Sequence, residues 1–179
     1  MIKNIAIYCS SSNEISDIYK QAARELGILL GKKGIHIING AGNMGLMRVV
    51  SEATLSAGGT VTGVIPTFMM ERGWHHRGLT RLIEVSSMHE RKKTIADLSD
   101  AAIALPGGYG TLEELLEIIT WRQLGLYHNP VIILNTSGFY NSLITMFHHA
   151  SDGKFIPPGG LSLWESADTP EEVLGKLGI

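Results

Sequence analysis

Apolar residues along this chain follow two alternating patterns. Runs that are apolar at nearly every position, Ile2–Cys9, Ile35–Asn39, Thr60–Ile65, Leu82–Val85, Ala101–Leu105 and Val131–Asn135, predict strands buried on both faces. Between them, apolar residues recur at helical spacing. Helices are predicted at about Ser16–Lys33, Gly45–Ala57, Met88–Asp100, Thr111–Leu124 and Phe139–Ala150, with a short one near Pro170–Leu177. In the first of these, Ile18, Ala22, Leu26, Leu29 and Leu30 form the stripe and Gly34 supplies the stop. Strand and helix alternating through short turns predict an α/β fold, a Rossmann-like doubly wound parallel sheet forming a single domain over residues 1–179. The longest stretch without periodicity, Pro66–Thr80, holds Trp74, His75, His76 and Arg77 and is expected to cover a ligand.

Ligands of such sheets bind at the carboxyl ends of the strands, near the point where strand order reverses. Four segments leave predicted strand ends with unusual chemistry: Ser10–Asn13, Gly40–Gly45, Ser86–Arg91 and Pro106–Thr111. The last is the most informative. Pro106-Gly-Gly-Tyr-Gly-Thr111 joins a strand to a helix start, where glycines allow close backbone approach and free N–H groups attract anions such as phosphate. Thr111-Leu-Glu-Glu114 also has capping-box form, with Thr111 as N-cap and Glu114 reaching back to it. Capping does not require three neighbouring glycines, and Glu113, Glu114 and Glu117 bring more negative charge than a cap needs. A carboxylate facing a cleft beside Arg91 is suited to stabilising a cationic transition state or activating water.

The other segments read as follows. Gly40-Ala-Gly-Asn-Met-Gly45 fits G-x-G-x-x-G, but no acidic residue follows about 20 positions on to hold a ribose hydroxyl, so a turn packing a helix on the sheet is expected rather than a dinucleotide site. Ser10–Asn13 offers helix caps, and Ser12 hydroxyl or amide contacts to a ligand. Ser87-Met-His-Glu90 is a second capping box, followed by Arg91-Lys92-Lys93. Cations there oppose the helix dipole, which favours an anion-holding role for Arg91 and Lys92 and a solvated one for Lys93.

Composition narrows the classes. At 44% hydrophobic and 18% charged residues the chain is neither disordered nor strongly solvating, and a net charge of −2 with no longer basic tract than residues 91–93 argues against nucleic acid. One cysteine, Cys9, excludes an internal disulfide. Adjacent histidine pairs, His75-His76 and His148-His149, diverge on regular structure, so no metal site is expected. With no membrane-length apolar run and no leader pattern, a cytoplasmic protein without membrane contact is expected.

Met88-His-Glu-Arg-Lys92 followed by Pro106-Gly-Gly-Tyr-Gly-Thr-Leu-Glu-Glu114 resembles the Lonely Guy family of cytokinin riboside 5′-monophosphate phosphoribohydrolases, long labelled as possible lysine decarboxylases. The likeness extends over Cys9–Ser12, Gly40–Met47, Gly58-Gly59, Val64–Pro66, Ile119–Trp121 and Pro130–Asn135. It departs at Ala41, where a third glycine is usual, and at Arg48, where glycine is common. The resemblance implies hydrolysis of the N-glycosidic bond of an adenosine 5′-monophosphate, often N6-substituted, to free base and ribose 5-phosphate. It needs no cofactor or metal and is expected in a homodimer. It assigns catalysis to Arg91 and Glu114. Substrate contacts fall to Ser12, Glu71, Met88 and Lys92, to Gly107, Gly108, Tyr109, Gly110 and Thr111 of the glycine turn, and to Glu113 and Thr120. Two other readings stand beside it: a non-catalytic nucleotide or cofactor carrier, and the older decarboxylase label, which requires a lysine Schiff base with pyridoxal phosphate.

Overall fold

The computed structural model describes residues 1–179. Seven strands form one parallel sheet: β1 (Asn4–Tyr8), β2 (His36–Asn39), β3 (Thr60–Pro66), β4 (Arg81–Val85), β5 (Ala101–Ala104), β6 (Val131–Leu134) and β7 (Glu165–Ala167), in the order β4-β3-β2-β1-β5-β6-β7. The helices are α1 (Asp17–Lys32), α2 (Gly45–Ser56), α3 (Thr67–Glu71), α4 (Met88–Asp97), α5 (Tyr109–Gln123), α6 (Asn141–Asp152) and α7 (Pro170–Leu177). The all-apolar runs are strands because both faces are covered: alternate residues of β1, Ile5 and Ile7 against Ala6 and Tyr8, enter two separate cores. One core packs α1, α2 and α7 on the sheet, the other α4 and α5. No helix is long and apolar enough to cross a membrane.

The six predicted strands and six predicted helices are present, with ends moved by at most three residues. Two elements were not predicted. β7 is three residues with one buried, too short to display a period. α3 occupies the first part of the Pro66–Thr80 segment and has no buried residue.

Strand order reverses between β1 and β5, which pair with each other and with nothing else in common. The Leu105 amide donates to the Tyr8 carbonyl and the Ser10 amide to the Pro106 carbonyl, so the loops after β1 and β5 leave the sheet side by side. The cleft forms there.

Candidate active site

The glycine turn delivers α5 to this reversal point, but not as the capping box predicts. The helix begins at Tyr109 with Gly108 as N-cap and no side-chain cap; the first helical bond runs from the Leu112 amide to the Gly108 carbonyl. Thr111 is therefore the third helical residue and does not cap. The Glu114 side chain makes no hydrogen bond within the chain. Its carboxylate is left for the cleft, and the amides of Tyr109, Gly110 and Thr111 have no acceptor inside the helix.

The glycines of the turn differ in what surrounds them. A Cβ on Gly107 would lie 2.1 Å from Thr111 Oγ1, so that glycine serves packing of the turn. Cβ atoms on Gly108 or Gly110 would meet nothing within 4 Å, and neither residue needs a positive φ. Nothing in the chain demands glycine at these two positions.

Two cavities open on the cleft and share Ser11 and Met47. A polar lobe of about 400 Å³ is lined by the Cys9–Ser12 strand end, Gly108–Thr111 and Glu114. An apolar lobe of about 300 Å³ is lined by Gly40, Gly42, Met44, Met47, Met69, Trp74 and Arg91. Met69 and Trp74 come from a strap over residues 67–78. Arg72 stacks on the Trp74 ring at 5.0 Å, Asn43 Nδ2 donates to the Gly73 carbonyl at 3.2 Å, and the His76 amide donates to the Ala41 carbonyl at 2.8 Å.

Arg91 is buried, held by Nε to the Val64 carbonyl at 3.0 Å and by Nη2 to the Gly40 carbonyl at 2.8 Å; Nη1 approaches the Met88 sulfur. A Cβ on Gly40 would sit 1.8 Å from Nη2, so the glycine sequence after β2 makes room for this guanidinium rather than for a dinucleotide. Burial pulls Arg91 below its ordinary pKa, with Glu114 opposing the shift, and the group stays charged. Burial raises the Glu114 carboxyl to about 7. The cations of Arg91 and Lys92 pull it down, and Glu113 and Glu117 push it up. A carboxyl so placed samples both protonation states near neutrality, as acid–base work requires.

The remaining expected contacts divide. Ser12, Gly108, Tyr109, Gly110 and Thr111 line the polar lobe, and Gly107 borders an adjoining crevice with Ser10 and Phe139. The Lys92 ammonium lies instead between Glu113 and Glu117, 3.0 Å from the latter. Burial alone would lower its pKa, but bonds and charge from the two carboxylates outweigh that and raise it. Glu71 is exposed at the end of α3 and lines neither lobe, and Thr120 spends its hydroxyl on the Leu116 carbonyl. The Ser10–Asn13 segment does not cap α1, whose N-cap is Ser16. Asn13 Oδ1 accepts from the Gly45 amide and so pins the start of α2. In the Ser87–Glu90 box only half the exchange forms: Ser87 Oγ accepts from the Glu90 amide, while Glu90 bonds the Ser86 amide and hydroxyl. Lys93 pairs with Asp97 in solvent. Trp74 lies in the Pro66–Thr80 segment expected to cover a ligand and does line the apolar lobe. Sequence reasoning missed Met44 and Met69, for which lone apolar residues in a polar stretch were the available signal.

Comparison with known proteins identifies the family. The family model described as "Possible lysine decarboxylase" matches residues 47–177. Two cytokinin riboside 5′-monophosphate phosphoribohydrolases of Arabidopsis thaliana are 45% and 42% identical over 177 and 175 residues, covering 98% of this chain in each case and 82% and 77% of theirs. Among solved structures, a molybdenum cofactor binding protein from Rippkaea orientalis superposes with a TM-score of 0.76 at 20% identity, over 99% of this chain and 96% of that one, a likeness of fold. On the strength of identity that high over nearly its full length, this chain belongs to the family of cytokinin riboside 5′-monophosphate phosphoribohydrolases.

Proposed function

We propose that the chain, acting as a single domain, hydrolyses the N-glycosidic bond of adenosine 5′-monophosphates, N6-substituted ones included, releasing the free base and ribose 5-phosphate. The family relation supports the reaction. The observation that carries the chemistry is an uncapped carboxylate, Glu114, in the same lobe as the free amides of a glycine-opened helix start.

The 5′-phosphate sits on the amides of residues 109–111, where the helix dipole and Gly108 and Gly110 admit it closely. The base enters the apolar lobe between Met44, Met69 and Trp74. The ribose then spans the junction at Ser11 and Met47, with Glu114 on one side and Arg91 on the other. As the C1′–N bond breaks, its electron pair leaves with the base and C1′ becomes oxocarbenium-like. The Glu114 carboxylate stabilises that charge and accepts a proton from the water whose oxygen adds to C1′. That proton then passes to the departing base nitrogen, which leaves the base neutral and the carboxylate restored. Arg91 donates no proton; anchored on two carbonyls, it holds the nucleotide and keeps a fixed positive charge near Glu114. Lys92 is unsuited to Schiff-base chemistry, because its ammonium is doubly paired and its pKa raised rather than lowered.

Exposed leucines on and just after α5, Leu116 (42%), Leu124 (62%) and Leu126 (70%), beside an apolar crevice containing Trp121 and Tyr127, support a homodimer. Light scattering at micromolar concentration should give twice the chain mass; a stable monomer contradicts the dimer. The activity is tested by incubating the protein with AMP, N6-isopentenyl-AMP and adenosine and following free base by chromatography. Base should appear from the two nucleotides and far more slowly from adenosine. No base from either nucleotide overturns the reading.

A further inference from the structure

A third cavity, of about 420 Å³, borders the strap and shares only Asn43 with the apolar lobe; none of its lining residues is hydrophobic. α2 contributes Arg48 and Glu52, and the strap contributes His75, His76 and Arg77. These groups are only partly committed to one another. Arg48 uses Nε alone, donating to Glu52 Oε1 at 2.8 Å, which leaves its two terminal nitrogens free. Arg77 makes no hydrogen bond or ion pair. His76 accepts the Gly78 amide at Nδ1 and turns Nε2 toward Glu52 at 3.6 Å. His75 keeps a buried Nδ1 with no partner at all, an orphaned polar atom of a kind rare in folded chains. Two guanidinium groups against one carboxylate give the cavity a net positive charge even with both histidines neutral. The chain as a whole is negative.

We propose that this cavity is a second anion site, distinct from the nucleotide cleft, that takes a small ligand of the phosphate or diphosphate class. The guanidinium forks of Arg48 and Arg77 stand on opposite elements and can each donate two parallel bonds to a tetrahedral oxyanion, a geometry ammonium groups do not offer. Glu52 does not cancel the site: its Oε1 accepts from Arg48 Nε at 2.8 Å, and the Arg77 guanidinium has no carboxylate of its own. A bound oxyanion bridges α2 to the strap that carries Trp74.

Sodium pyrophosphate is the probe, titrated calorimetrically at constant ionic strength. The receiving protein is the Glu114→Gln variant saturated with AMP, so that the glycine-turn lobe is already filled. One equivalent should bind. Adding Arg48→Gln and Arg77→Gln, both at exposed positions, should weaken that binding by at least about tenfold, the loss expected for charge-assisted bonds to an anion. Equal affinity with and without the two arginines overturns the proposal. So does the absence of binding to the AMP-loaded protein when the free protein binds pyrophosphate, because that places the anion in the nucleotide cleft. Heat of pyrophosphate binding is read without turnover, so a failure of the hydrolase reading, seen as absent base release, leaves this outcome separately legible.

Discussion

The two lobes of the cleft meet at Ser11 and Met47 yet are made in opposite ways. The polar lobe stands on strand ends at the centre of the sheet. Its backbone is fixed by neighbouring β1 and β5, and its two glycines, Gly108 and Gly110, leave open space. The apolar lobe is closed by a strap outside the sheet, tied down by a stacked arginine, an asparagine and a few backbone bonds. Rigid scaffolding therefore carries the reacting centre, where small displacements are costly. On the proposed reading, a segment outside the sheet shapes the space for the base and its substituent.

Substitutions that separate the lobes sharpen this contrast. The largest effect belongs to Glu114→Gln, which should lower kcat by about 10²–10⁴-fold, the range for loss of an acid–base group, with the fold and nucleotide binding retained because no side-chain hydrogen bond is lost. Gly40→Ala comes next. Its methyl displaces the Arg91 guanidinium, and misplacement on the order of 1 Å can cost about 10²-fold in kcat/KM. In the apolar lobe, Trp74→Ala should cut the preference for N6-isopentenyl-AMP over AMP by roughly 10-fold or more while kcat for AMP holds, as loss of a pocket wall predicts. Comparable losses for both substrates would break the division of labour. Gly108→Ala should raise KM for nucleotides without altering the melting temperature, whereas Gly107→Ala should destabilise the fold by about 1–3 kcal/mol through its clash with Thr111.

The smallest effect is in pH. Burial raises Glu114 to about 7, so the folded chain binds this proton more tightly than the unfolded chain does. The stability it contributes is complete below the ordinary carboxylate range and is lost as pH rises through about 7. Glu114→Gln abolishes that titration, so its melting temperature relative to wild type should rise between about pH 5 and about pH 8. A constant difference across this range contradicts the raised carboxyl.

The same contrast governs what could be read from residues alone. The sheet and the segments of the polar lobe were legible because buried strands and glycine turns leave local, periodic marks, whereas strand order, and so the reversal point, came only from the structure. The capping reading of Glu114 failed for a local reason as well. The Thr-x-x-Glu pattern is real, but Gly108 adopts extended backbone angles and starts the helix two residues before Thr111. The Lys92 bonds to Glu113 and Glu117 join residues more than 20 positions apart, and Met44, Met69 and Trp74 meet only through tertiary folding. Neither arrangement has a period or a spacing to betray it.

The most direct test is a crystal structure of the Glu114→Gln variant with AMP bound. The account predicts phosphate oxygens on the amides of residues 109–111, adenine against Met69 and Trp74, and C1′ facing the side chain at 114. A phosphate bound elsewhere, or a residue 114 side chain screened from C1′ by protein, contradicts it.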